Sequence, residues 1–196
     1  NALIFQMGRD VAHQLKRIGV NVNFAPVVDV NNNPLNPVIN SRSFGEITEN
    51  VLLKGLSYMQ GMQDYGLLCT AKHFPGHGDT ESDSHYTLPV IPHSLDRLTE
   101  IELKPFRECI LNGLSGVMIA HLFIPSLDST PGRASSLSQN IVTNLLQQEL
   151  GFKGLIFTDA MNMKAVSESY EPAEMEVLPV QAGVDVIVMP PDPVKA

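Results

Sequence analysis

Gly66-Leu67-Leu68-Cys69-Thr70-Ala71-Lys72 is a short apolar run behind a glycine, and it delivers His73-Phe74-Pro75-Gly76-His77-Gly78-Asp79-Thr80-Glu81-Ser82-Asp83-Ser84-His85. An apolar run of this length, without alternation, predicts a strand from Leu67 to Lys72 that is buried on both faces. Upstream of it, a helical pattern around Glu49 to Asp64 ends at Gly66. This helix, glycine, apolar strand, polar tail unit repeats along the chain.

Before it, Ile4, Met7, Val11, Leu15 and Ile18 step by three or four along a helix that stops at Gly19. Val20 to Val30 then predicts a strand leading to Asp29 and an Asn/Pro-rich loop, Asn31 to Asn40. After it, a helix near Pro105 to Asn112 leads through Gly113 into a strand from Gly116 to His121. A further helix, with Ser138 as N-cap and Ile141, Leu145 and Leu146 on one face, leads through Gly151 into Leu155 to Thr158. A last helix, interrupted by Pro172 and Pro179, leads through Gly183 into Val184 to Met189.

Five apolar strands separated by helices predict an α/β fold with a parallel sheet. Its reactive residues fall at strand ends: Asp29, then Lys72 and His73, then His121, then Asp159. That placement favours a (β/α)8 TIM barrel, whose site is built at the C-terminal rim of the strands. A full barrel takes about 250 residues, so residues 1–196 are expected to be a portion of one barrel domain, with early and final βα units missing. The unclosed edges would favour self-association.

Composition narrows the classes. The chain has 196 residues, 43% hydrophobic and 17% charged, and its net charge of −8 comes with scattered basic residues, which argues against nucleic-acid binding. No apolar run approaches the roughly 20 residues of a membrane span. Cys69 and Cys109 lack metal-site spacing and read as buried free thiols.

The stretch from Lys72 to His85 holds three histidines, three acids and a lysine, with two glycines and a proline to shape its backbone. Asp83 and His85, one residue apart, project from the same side of an extended segment and can pair. A carboxylate beside imidazole fixes its tautomer and favours protonation, as a general acid/base requires. Read alone, an Asp-x-His pair is better explained by a solvated surface loop; within this stretch the dyad is the better reading. Asp159 points into the barrel mouth or caps the following helix. Arg42, Lys72 and His73 either hold the oxygens of a polar ligand or pair internally with acids. His121 reads as a satisfied core histidine lining the pocket, and Met161 and Met163 lie close enough to Asp159 to line it as well.

The Lys72 to Gly78 motif followed by Asp83-Ser84-His85 resembles glycoside hydrolase family 3, in its β-N-acetylhexosaminidase branch. Asn23-Phe24-Ala25-Pro26-Val27-Val28-Asp29-Val30, Ser41 to Gly45, and Phe157-Thr158-Asp159-Ala160-Met161 extend the resemblance from about Gly19 to Met189. It implies a retaining exo-glycosidase on a TIM barrel that removes terminal β-linked N-acetylglucosamine, often from cell-wall muropeptides, without metal or cofactor. By that pattern Asp159 is the nucleophile, His85 paired with Asp83 is the acid/base, and Arg42, Lys72 and His73 bind the sugar. A role in cell-wall recycling would place it in a bacterial cytoplasm or periplasm. The family's acidic sugar-binding residue on an early strand, and its eighth strand, have no counterpart in these residues. Because a neutral imidazole repels anions less than a carboxylate does, phosphate is expected to compete with water for the glycosyl-enzyme.

Two other readings fit the same residues. His73, His77 and His85 with Asp79 and Asp83 could hold zinc in a metal-dependent hydrolase. The chain could also be an inactive carbohydrate-binding or structural piece.

Overall fold

The computed structural model describes residues 1–80 and 87–191. Helix α1 (Ala2–Arg17) precedes β1 (Val22–Asn23); α2 (Thr48–Asp64) precedes β2 (Leu68–Phe74); α3 (Leu95–Glu100) and α4 (Leu103–Leu111) precede β3 (Gly116–Ile119). A π-helix over Asn140–Glu149 precedes β4 (Leu155–Thr158), which is followed by α5 (Lys164–Ser167) and α6 (Pro172–Ala182). The strands lie in the order β1-β2-β3-β4, all parallel. They form a curled half-barrel, with helices joining successive strands.

Gly19, Gly66, Gly113, Gly151 and Gly183 each follow a helix with φ between 70° and 104°. A side chain is disfavoured in that left-handed conformation, which is why the five turns share one residue type. The rhythm expected from the sequence therefore holds, with local differences.

Four of the five expected strands form ladders. The first is cut short because Pro26 has no N–H to donate; beyond Asn23 the chain keeps β2 company through Thr70 N to Ala25 O (2.9 Å), Lys72 N to Pro26 O (3.0 Å) and a bridge between Val27 and Lys72. The fifth segment, Val184 to Met189, lies beside β4 but makes one bridge, Val186 to Phe157. There the Asp185 carboxylate takes the Ile156 N–H at 2.8 Å. Helix α3, with Ser94 Oγ accepting the Arg97 N–H, was not expected.

The core stripe of α1 also differs. Met7 and Ile18 are exposed, and Gly8 and Ala12 take the buried centre. The cause is the close approach of α2: a Cβ on Gly8 would lie 2.4 Å from Tyr58 O, and one on Gly61 2.1 Å from Phe5 O. Only glycine permits backbones that near.

The main core joins the sheet to its helices through fully buried Val28, Met59, Phe74, Phe106, Ile119 and Leu146. Phe74 and Phe106 meet edge to face at 5.3 Å, a favoured aromatic geometry. A smaller cluster under α6 contains Met161 and Met175. Cys69 and Cys109 are buried free thiols, and burial pushes both up to about 12. No helix among the described residues is long and apolar enough to cross a membrane.

Candidate functional site

At the C-terminal ends of the strands, Phe24, Arg42, Lys72, His73, His77, Met118, Asp159 and Met163 surround a cavity of about 310 Å³. The sequence places Lys72 and His73 at the end of a strand that stops at Lys72. They lie inside β2, which runs on to Phe74.

The β2–β3 register explains how neighbours in sequence can both face the cavity. Ala71 pairs with Val117 and Phe74 with Ile119, so β2 carries one extra residue. A regular strand would send Lys72 and His73 to opposite faces. The bulge re-aims one of them.

Asp29, fully buried, lies behind the wall. Its Oδ1 accepts the His77 N–H at 2.7 Å, both oxygens accept the His73 N–H at 3.1 Å, and Oδ2 meets His73 Nδ1 at 2.7 Å. Burial alone would raise this carboxyl, but the His73 ring and the His77 contacts outweigh it and hold it below the usual carboxylate range. Beyond the imidazole, His73 Nε2 meets Arg42 Nη2 at 3.2 Å. Arg42 arrives on a 3-10 turn, Asn40–Arg42, and also donates to Val38 O.

Asn36, also buried, ties the loop before that turn to the loop after β2. Its Nδ2 donates to His77 O at 2.8 Å and to Thr80 Oγ1 at 3.2 Å, while Oδ1 accepts the Val38 and Ile39 N–H groups. The sequence reading missed it, because an asparagine among five in one loop carries no sign of a partner 41 residues away. Thr80 also meets His77 Nδ1 at 3.0 Å, and burial depresses the His77 imidazole to about 4.

Asp159 leaves the end of β4 and reaches the cavity, with its N–H bonded to Ile119 O and its Oδ1 accepting the Ala160 N–H at 2.8 Å. Burial opposes ionisation here, but nearby His73 and His121 and the Ala160 N–H hold the carboxyl below its ordinary value. The result is an anion at neutral pH. Lys72 lies on the same wall; burial and then Arg42 push its ammonium below the usual range, against the pull of Asp159 and Asp29.

His121 is not a lining residue. It is fully buried, and Nε2 meets Ala160 O at 3.2 Å while Nδ1 meets Ser136 Oγ at 2.7 Å. Met163 lines the cavity as expected, whereas Met161 belongs to the small core cluster. Thus Arg42, Lys72, His73 and Asp159 come together around one cavity. Asp83 and His85 lie outside the described residues.

Of the zinc-ligand candidates, both His73 nitrogens are engaged by Asp29 and Arg42, and Asp79 Oδ2 meets His93 Nε2 at 2.7 Å and Arg97 Nη2 at 3.0 Å. Another group, Asp79, His93 and Glu102, has ligand atoms within 4.8 Å of one another. The Arg97 guanidinium already bridges its two carboxylates, with Glu102 Oε1 at 3.1 Å. A second cavity, about 290 Å³ beside Asp128 and Arg133, contains none of the predicted site residues.

Comparison with known proteins matches residues 1–196 to the glycosyl hydrolase family 3 N terminal domain. A beta-hexosaminidase A of Pseudoalteromonas piscicida is 41% identical over 190 residues, covering 92% of this chain and 32% of that protein. A glycoside hydrolase family 3 beta-N-acetylglucosaminidase from Paenibacillus sp. str. FPU-7 superposes with a TM-score of 0.92 at 43% identity, over 95% of this chain and 35% of that one. NagZ from Neisseria gonorrhoeae, solved with N-trifluoroacetyl-D-glucosamine, gives a TM-score of 0.82 at 34% identity, over 94% of this chain and 52% of that one. The chain therefore spans between about a third and a half of the length of these relatives.

Proposed function

The chain belongs to glycosyl hydrolase family 3, and from that premise we propose that it carries the chemistry of a retaining exo-β-N-acetylglucosaminidase, with muropeptide fragments as a natural substrate class. The observation that carries this reading is Asp159: an ionised carboxylate at the wall of a cavity shared with Arg42, Lys72 and His73. The names of the relatives supply the sugar. The half-barrel is read as part of one (β/α)8 barrel.

In the reaction, Asp159 Oδ attacks the anomeric carbon as the bond to the leaving oxygen breaks, and protonated His85 donates its proton to that oxygen. A glycosyl-aspartate results. Neutral His85 then takes a proton from water, whose oxygen displaces Asp159 and restores the starting carboxylate. Asp83 pairs with His85 and favours its charged form. Arg42 and Lys72 offer only donors and so suit the hydroxyl and carbonyl oxygens of the sugar. Lys72 interacts electrostatically with Asp159 and so favours its charged form.

The test is hydrolysis of a chromogenic N-acetylglucosaminide by this chain and by a longer polypeptide carrying the remaining barrel units, with Asp159→Ala and His85→Ala as controls. Release of chromophore that both substitutions suppress, insensitive to chelator, is the expected result. A mechanism-based fluorosugar should label Asp159. Labelling of another side chain would overturn the assignment.

A further inference from the structure

Asp29 takes no part in the chemistry proposed above, yet it is a fully buried carboxylate aimed at the back of a cavity-lining imidazole. What it does follows from the far side of that ring. Arg42 carries only donors, so His73 Nε2, at 3.2 Å from Arg42 Nη2, must accept. The ring proton therefore sits on Nδ1, pointing at Asp29 Oδ2, 2.7 Å away. An N–H on Nε2 would face another donor across the same gap.

We propose that Asp29 is a positioning residue that locks His73 in its Nδ1–H tautomer, so that the Nε2 lone pair holds the Arg42 guanidinium against the cavity wall. A carboxylate suits this task because it only accepts. Its remaining oxygen capacity is filled by the main-chain N–H groups of His73 and His77, so the carboxylate itself cannot turn away. Without the lone pair, Val38 O at 3.2 Å is the remaining hydrogen-bond partner of Arg42 among the described residues. The same logic operates where a carboxylate orients a catalytic or metal-binding histidine from behind.

Asn at position 29 would keep the volume and one acceptor oxygen. If that oxygen stays on the His77 N–H, the new NH2 faces His73 Nδ1 and donates to it, which forces the proton to Nε2. Two donors then meet at Arg42, and the guanidinium leaves its place.

The identity of the ligand, an N-acetylglucosaminide, rests on the function proposed above; the tautomer does not. Long-range proton–nitrogen correlation spectra of 15N-labelled protein, with His73 assigned through His73→Gln, should show Nδ1–H in the unmodified chain and Nε2–H in Asp29→Asn. Binding of N-acetylglucosamine should weaken by about tenfold or more, the loss expected for a displaced charged hydrogen-bond donor. A wild-type His73 protonated on Nε2 overturns the inference, whether or not Asp29→Asn folds. So does a folded Asp29→Asn protein that keeps the Nδ1–H tautomer and loses only thermal stability. A tautomer switch in a protein that cleaves no N-acetylglucosaminide would leave the inference standing and remove the proposed activity instead.

Discussion

Asp159 and His121 hold the same residue by its two main-chain polar groups: Asp159 Oδ1 accepts the Ala160 N–H at 2.8 Å, and His121 Nε2 donates to the Ala160 carbonyl at 3.2 Å. Because a carbonyl only accepts, His121 carries its proton on Nε2 and receives the Ser136 hydroxyl on Nδ1. Burial keeps that imidazole's pKa below its ordinary value. A buried histidine thus sets the turn from which Asp159, the proposed nucleophile, projects.

His121→Phe should therefore strand Ala160 O and Ser136 Oγ, costing about 1–3 kcal/mol for each buried group left unpaired. Turnover should fall about tenfold for every 1.4 kcal/mol of positioning lost, with little change in KM. His121→Gln, whose amide can still donate toward Ala160 O, should recover part of both. Steady-state kinetics and urea unfolding on the three proteins check this.

Stability should climb with pH between about 4 and 6.5. His77 titrates at about 4 in the folded chain against 6.5 unfolded, so across that window the unfolded state binds the extra proton and is favoured by acid. The stabilisation is complete above 6.5 and is lost as pH falls toward 4. That gap corresponds to about 3 kcal/mol. Asp29, Asp128 and Asp159 extend the acid sensitivity lower, because each is held below its ordinary 3.8 and must be protonated as the chain unfolds. Denaturant titrations at several pH values should show the upper slope, and His77→Gln should flatten it.

Two glycines with comparable clashes should have different consequences. A Cβ on Gly61 would lie 2.1 Å from Phe5 O between α1 and α2, and one on Gly78 would lie 1.9 Å from Val30 O beneath the loop after β2. Gly61→Ala should cost about 1–3 kcal/mol by forcing the helices apart, while leaving turnover nearly intact. Gly78→Ala should displace the His77 loop and reduce turnover as well as melting temperature. Thermal melts paired with rate measurements separate the two.

If His85 acts as a neutral base in the second step, inorganic phosphate should trap the glycosyl-enzyme in competition with water. The cationic Arg42 and Lys72 on the cavity wall favour an anionic acceptor further. Sugar 1-phosphate should then accumulate as phosphate rises. Its absence at high phosphate would leave water as the only acceptor.

How much of this was legible in the sequence depended on whether the cause was local. The helix-ending glycines and the apolar runs of β2, β3 and β4 each carry their signal within a few residues, so the alternating architecture could be read. The bulge at Lys72 and His73 could not, because it is a mismatch between β2 and β3, which lie more than forty residues apart. Neither could the roles of Asp29 and Asn36, whose partners come from another strand and loop. A carboxylate ending an apolar run marked Asp29 as a rim residue, yet nothing near it revealed a histidine as its target. Likewise the apolar spacing in α1 pointed to Met7, while the true contact depended on small residues facing α2.

Arg97 Nη2 lies 3.0 Å from Asp79 Oδ2 and 3.1 Å from Glu102 Oε1, and Glu102 Oε2 is buried without a hydrogen-bond partner among the described residues. Burial raises the Glu102 carboxyl, and Arg97 is the main group pulling the other way. Removing only the guanidinium should therefore be worse than removing both charges, since a lone buried carboxylate has no compensation. Arg97→Met should destabilise the fold by about 1–3 kcal/mol, less than breaking a fully buried pair because the Arg97 side chain is 33% exposed. Glu102→Gln added to it should return part of that loss. A double-mutant cycle by urea unfolding measures the coupling. Additive losses would mean that Arg97 serves Asp79 alone.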